Sequence, residues 1–345
     1  MTTHVSRTGP AAEAGTADEL GALLSTLVGR SVPHDGYLLA GMDPVSDTYA
    51  FHTARRAYGR ETMRLLEREF GTPREALPFC RLFHGPTPVG VLRADVRAHR
   101  RSGRLDAMLR NDGLGTEMRI ALPMDGRAWG GLVLTRERGS RAFSDAEAGR
   151  AERLVGPLAV ALRRYVVSKP LRVAPYEGPP GVVVLGPDGT VKATTPGHRE
   201  WLREYVPDPT RGMDDTALFD GLWDLTYTAR VAPGGTAVSR LYTSCGWRTL
   251  HVQPLTPHEG ADSVVTLQPA TADELLPALT VWYGITPRER EVLRHALDGL
   301  PAKSIARRLE LSLHTVNDHL RAVYRKLGVG GRDELSASLR PRGNP

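Results

Sequence analysis

The residues with the most specific chemical signature lie near the C-terminal end. Between Leu313 and Leu327 the residues Val316, Leu320, Val323 and Leu327 fall on one narrow seam of a helix. His314, Asn317, Asp318, Arg321 and Arg325 fall on the opposite side. This polar, mostly basic face looks away from the buried seam. Its chemistry is hydrogen bonding and ion pairing to an anionic partner, not bond making. A preceding helix, Pro301 to Leu309, joins it through the tight turn Leu311-Ser312, with Ser312 suited to the N-cap. A first helix opens at Thr286-Pro287-Arg288-Glu289, where Thr can cap, Pro suits the first helical position and Glu289 completes a capping box. Two helices joined by a tight turn, the second with such a face, describe a helix-turn-helix.

Charge supports this placement. The chain has 345 residues and a formal charge of +6. Residues 286–345 hold 12 Lys/Arg against 7 Asp/Glu, whereas the rest holds 33 against 32. A basic segment of this kind suits nucleic acid first and a membrane surface second. A solvated basic tail is the plainer reading of charge alone.

The ordered set Ile285-Thr286-Pro287-Arg288-Glu289-Arg290-Glu291-Val292-Leu293, Gly299-Leu300, Lys303-Ser304-Ile305-Ala306, Leu309, Ser312, Thr315-Val316, His319-Leu320, Tyr324, Lys326-Leu327-Gly328-Val329, Arg332 and Glu334-Leu335 resembles the LuxR-type (GerE-type) helix-turn-helix domain. The resemblance implies that the third helix enters the major groove of double-stranded DNA. It places Asn317, Asp318 and Arg321 at the base-reading positions, with Lys303, Thr315 and Arg325 toward phosphates. Asn can pair with adenine, Asp can accept from cytosine N4, and Arg suits guanine. The family often has Lys where Asn317 stands. Asp318 is a carboxylate facing a polyanion, and an intrahelical partnership with Arg321 or Arg325 stays open beside base reading. His319 sits at the seam edge, where packing or capping is expected.

These residues need elements to position them. The expected class is multidomain α+β: two α+β domains followed by an all-α four-helix domain. Residues 1–16 read as a disordered start and 17–168 as the first α+β domain. That domain has helices at 17–30, 55–70 and 105–110, a strand at 37–42, a hairpin of strands 117–123 and 128–135, and one long helix from the Ser144-Asp145-Ala146-Glu147 capping box to Tyr165. Residues 169–177 read as a linker and 178–270 as a second α+β domain. Its expected strands are 182–185, 191–194, 237–243, 247–254 and 263–268, with a short helix at 198–205. A connecting helix is expected within 271–284, and the helix-turn-helix domain at 285–340. The Asn111-Asp112-Gly113-Leu114-Gly115, Trp129-Gly130-Gly131-Leu132 and Phe143-Ser144-Asp145-Ala146-Glu147 segments resemble GAF-type sensors of actinobacterial regulators. Gly181 to Gly189 resembles a PAS-type start.

Other chemistries find little support. No GxxxxGK[ST], HExxH or GxSxG occurs, so no enzyme is expected. Residues 1–150 contain no Lys, which excludes receiver-type phosphorylation. The resemblance to acyl-homoserine-lactone receptors stops at the C-terminal domain, because no Trp precedes Trp129. Cys80 with His84 is a weak metal or haem signal. Cys245, His251, Trp201, Trp223 and Trp247 read first as core. No cofactor is expected, and a small-molecule ligand is an open question. With no secretory start and no spanning apolar stretch, a cytoplasmic protein without membrane contact is expected. The expected partners are double-stranded DNA and a second copy of the chain, with RNA polymerase a further candidate. The sequence reads as a dimeric, sequence-specific transcriptional regulator, held together by the helix from Ser144 to Tyr165 and by the last helix. The alternative is a sensor or interaction scaffold whose DNA contact is secondary.

Overall fold

A computed structural model describes residues 9–69, 75–93, 96, 99, 102–174, 179–187, 190–196, 222–232, 234–243, 246–256 and 261–339. The first part is an antiparallel sheet of β1 (Gly36–Asp43), β2 (Thr48–Arg55), β3 (Val89–Leu92), β4 (Leu114–Met124) and β5 (Arg127–Glu137), in the order β2-β1-β5-β4-β3. The expected hairpin is β4 and β5. Its two-residue turn, Asp125-Gly126, has both φ angles positive (52° and 71°), the twist that suits a tight hairpin. On one sheet face lie α1 (Pro10–Glu13), α2 (Ala17–Gly29), α6 (Asp145–Glu152) and α7 (Val155–Ser168), around a core that includes Leu24, Leu39, Ile120, Leu132 and Leu162. On the other face lie α3 (Arg60–Glu69), α4 (Phe79–His84) and α5 (Gly103–Arg110), with Leu105, Met108 and Val133 buried.

The second sheet comprises β6 (Gly181–Leu185), β7 (Val191–Thr194), β8 (Ala237–Thr243), β9 (Gly246–Pro254) and β10 (Ser263–Pro269). Its order, β7-β6-β10-β9-β8, repeats the order of the first sheet. Helix α8 (Trp223–Val231) covers it through Leu225 and Ala229. Then come α9 (Ala272–Trp282), α10 (Pro287–Leu297), α11 (Ala302–Arg308), α12 (Leu313–Leu327) and α13 (Arg332–Ser338). The expected class therefore holds: two five-stranded antiparallel sheets followed by a helical C-terminal region.

Four expectations need correction or a limit. Residues 10–13 fell in the disordered start, but they form a helical turn that buries Ala11 and Ala14. The helix expected from Ser144 to Tyr165 breaks at Arg153-Leu154. Pro157 has no N–H to donate four residues back, and it sits instead in the first turn of α7, where no donor is needed. The residues expected to be a linker pack instead: Leu171, Val173 and Ala174 are buried. Trp247 N donates to Arg172 O (2.7 Å), Ala174 N to Trp247 O (3.1 Å) and Val173 N to Ser338 O (2.9 Å). The helix expected at 198–205, with Trp201, lies outside the described residues, as do Cys245 and the side chain of Trp223.

The parts are joined by a shared apolar cluster. Trp129 of β5, Val173, Trp247 of β9, Leu275 and Trp282 of α9, Leu293 of α10, Val323 and Leu327 of α12, Leu335 of α13 and Leu339 just after it belong to it. Polar contacts add register. Arg240 reaches Asp43 from the second sheet (Nη1 to Oδ2, 2.6 Å), and its Nε donates to Glu274 O. Ser239 Oγ donates to Tyr49 O (2.7 Å), and Arg163 Nε to Trp282 O (2.9 Å).

Candidate nucleic-acid interface

The sequence sets each helix of this region by its first residues. Thr286 Oγ1 accepts from Glu289 N (3.3 Å) and Glu289 Oε2 from Thr286 N (2.8 Å), so the capping box is formed as read. The same Glu289 oxygen accepts from Lys326 Nζ at 2.5 Å, and Lys326 also donates to Gly284 O (2.9 Å). Burial alone would raise the Glu289 pKa. The Lys326 bond and the cap outweigh that and hold it below the usual carboxylate range. This lock fixes the end of α12 against the start of α10. Arg288 Nη2 donates to Leu309 O (2.8 Å), which ties α10 to the turn. At Ser312 the hydroxyl accepts from Thr315 N (3.0 Å) and starts α12.

With these ties α12 presents the expected two faces. Val316, Leu320, Val323 and Leu327 are buried. Val316 and Leu320 pack with Val292, Ala296, Ile305 and Ala306 of the neighbouring helices. Lys303, Ser312, His314, Asp318, Arg321 and Arg325 are exposed, and Thr315 and Asn317 are half-buried. The structure thus brings His314, Asn317, Asp318, Arg321 and Arg325 onto one solvent-facing side of α12, and leaves Lys303 on the adjoining α11. His319 is half-buried beside the seam.

Asp318 keeps the intrahelical partnership that the sequence left open. Its Oδ2 lies 3.3 Å from His314 Nε2 and its Oδ1 3.4 Å from Arg321 Nη1. Exposed pairs of this kind contribute up to roughly 1 kcal/mol, so they soften the carboxylate's repulsion of a polyanion without fixing the side chains. Sequence reasoning missed Leu313, exposed at 47% at the start of the same helix. It also missed the Lys326–Glu289 and Arg332–Ala296 ties, the latter from Nη2 to O at 2.9 Å. The capping box pointed to Glu289, but no local pattern names a partner 37 residues away.

Residues 284–338 match the family model for bacterial regulatory proteins, luxR family. This segment is a luxR-family helix-turn-helix domain. The luxR-family domain is 45% identical over 64 residues to a Mycobacterium tuberculosis protein that carries the name of an HTH-type transcriptional regulator. That match covers 19% of this chain and 7% of the relative. It is 42% identical over 52 residues to the nitrate/nitrite response regulator protein NarL of Escherichia coli (strain K12), covering 15% of this chain and 24% of NarL. The chain therefore spans a small part of the curated relatives it matches. Among solved structures, Escherichia coli SdiA aligns over 95% of this chain and 93% of its own at 12% identity and a TM-score of 0.33. The cyanobacteriochrome TePixJ GAF domain aligns over 47% of this chain and 98% of its own, at 13% identity and a TM-score of 0.30.

No helix among the described residues is long and apolar enough to cross a membrane. Cys80 is exposed, and no three His, Cys, Asp or Glu side chains converge among the described residues.

Proposed function

We propose that the chain is a sequence-specific, DNA-binding transcriptional regulator whose front domains control a C-terminal reading helix. One observation carries this reading: in a luxR-family domain, α12 buries its apolar seam and turns His314, Asn317, Asp318, Arg321 and Arg325 to solvent. Asn317, Asp318 and Arg321 are assigned to base edges, and Lys303, Ser312, Thr315 and Arg325 to phosphates.

The active form is a homodimer with two reading helices about one DNA turn apart, roughly 34–36 Å. The last helix, α13, is one of the two elements assigned to hold that dimer. In the single chain its leucines, Leu335 and Leu339, are already buried in the cluster shared with Val173, Trp247 and Trp282. Only Asp333, Glu334 and Ala337 of α13 are exposed. Pairing through the apolar side of α13 therefore requires that it leave this cluster, and a change in the front domains is the event that releases it.

Selection of bound duplexes from a random pool by the full chain tests this reading. Recovered sites are expected to hold two inverted half-sites one turn apart, and sedimentation with such a site should give two chains per duplex. Recovery of no common sequence, or one chain per duplex at saturation, rejects it. The scaffold reading predicts that first outcome.

A further inference from the structure

The face of the first sheet that α3, α4 and α5 cover carries a feature that DNA binding leaves unused. Across its middle runs a row of small residues, Ala40 of β1, Gly131 of β5 and Ala121 of β4, which pair in register. Beside it runs the row Leu38, Val133, Arg119 and Gly90. The two glycines make hollows. A Cβ on Gly131 would stand 2.6 Å from Phe79 Cε1, and one on Gly90 2.5 Å from Leu77 Cδ1. Leu77 and Phe79, from the segment Glu75–Phe79, therefore drop their side chains into the trough.

Two buried arginines hold that segment. Arg104 and Arg119 both pair with Glu117, at 2.5 Å and 2.7 Å, and all three side chains are at most 1% exposed. Arg104 Nη2 then donates to Ala76 O (3.1 Å) and Arg119 Nη1 to Leu77 O (2.9 Å). Glu75 completes the charge balance from 3.6 Å, beyond hydrogen-bond length to Arg119. The fit is imperfect at Arg119 and at Leu77. Arg119 Nη2 is buried without a hydrogen-bond partner. Leu77 has φ +61°, a conformation costly for a bulky side chain. The segment thus occupies the trough as a strained stand-in, with one carboxylate, two carbonyl acceptors and an apolar branch.

We propose that this trough is a binding site for a small monocarboxylate with a branched apolar tail, and that Glu75–Leu77 fills it when the ligand is absent. A ligand carboxylate bridging Arg104 and Arg119 replaces both carbonyl bonds, reaches the unused Arg119 donor and restores the charge that Glu75 supplied. Its apolar branch takes the hollow over Gly90 as Leu77 leaves. This rests on the reading of the front domains as a sensor.

The test uses the full chain with 4-methylpentanoate as probe and its neutral amide, 4-methylpentanamide, as control, read by calorimetric titration. Saturable binding of the carboxylate and none of the amide is expected. Glu75→Gln removes the segment's own charge, so it should bind the probe about tenfold more tightly, a gain of about 1.4 kcal/mol. No saturable binding to the wild type, or equal binding of the amide, overturns the proposal. So does a folded Glu75→Gln chain that binds no more tightly than the wild type. If that variant fails to fold, the wild-type comparison of carboxylate and amide decides alone. DNA affinity measured on the same samples separates the two readings. Saturable binding that leaves DNA affinity unchanged keeps the site and rejects the sensor. A Glu75→Gln chain with altered DNA affinity and no probe binding does the reverse.

Discussion

Trp247 of β9 stacks on Trp282 of α9, with ring centroids 4.5 Å apart and planes inclined by 22°. One ring belongs to the second sheet and the other to the helix that leads into the reading domain. Both are buried, at 3% and 2% exposure. Trp282→Ala is therefore expected to cost about 3–5 kcal/mol of unfolding free energy. Urea unfolding checks this, and a loss under about 1 kcal/mol would mean that the stack does not join the parts.

Reading and positioning residues should separate by salt and by sequence. Arg321→Ala is expected to relax preference at one base position by about 1–3 kcal/mol. Lys303→Ala should weaken binding to every sequence alike and flatten the salt slope by about one. Titrations of matched and mismatched duplexes across a salt series distinguish them. Identical behaviour of the two variants would contradict the assignment of α12.

Glu274 ties α9 to the second sheet. Its Oε1 lies 2.6 Å from His251 Nε2, and Oε2 accepts from Thr271 N at 2.7 Å. Burial opposes ionisation, but the His251 bond and the Thr271 cap outweigh it and bring the pKa to about 2 from 4.5. The folded chain thus releases this proton more readily than the unfolded one. Its contribution is complete above about pH 4.5 and fades as pH falls toward about 2. Glu274→Gln should flatten the acid limb of a plot of urea midpoint against pH. An unchanged limb rejects the coupling.

Lys169 behaves in the opposite sense. Its ammonium is buried and donates to Ala14 O (3.2 Å) and Gly15 O (2.8 Å), 3.9 Å from the centre of the Tyr165 ring. Desolvation pushes its pKa down to about 8 from 10.5, against a smaller opposing pull from Glu19. Between those values the unfolded chain binds more protons, so stability should rise with pH from about 8 to about 10.5. In Lys169→Met that rise should vanish. Its persistence in the variant would assign it to another group.

The helix-turn-helix was legible because its determinants are local. Caps at Thr286 and Ser312 and the seam from Val316 to Leu327 each act within one or two turns. The β4–β5 hairpin was legible for the same reason. Strand β2 was not: only Thr48 and Thr53 are buried in Thr48–Arg55, so no alternation marks it. Strand β3 has four residues and α4 six, too few to show a period. The packing of residues 171–174 depends on Trp247 and Ser338, more than 70 and 160 positions away, and no local rule reaches so far. On α12, side-chain types named the residues that turn away from the buried seam, but the ties that hold the helix in place are long-range.

The charged side of α12 is open to solvent in the same arrangement that buries Leu335 and Leu339. Lys303 and Arg325, the residues assigned to phosphates, are thus exposed while α13 is docked. On the proposed mechanism, a lone chain can already scan duplexes by sliding and hopping. The front domains then govern dwell time at a paired site, not the search that leads to it.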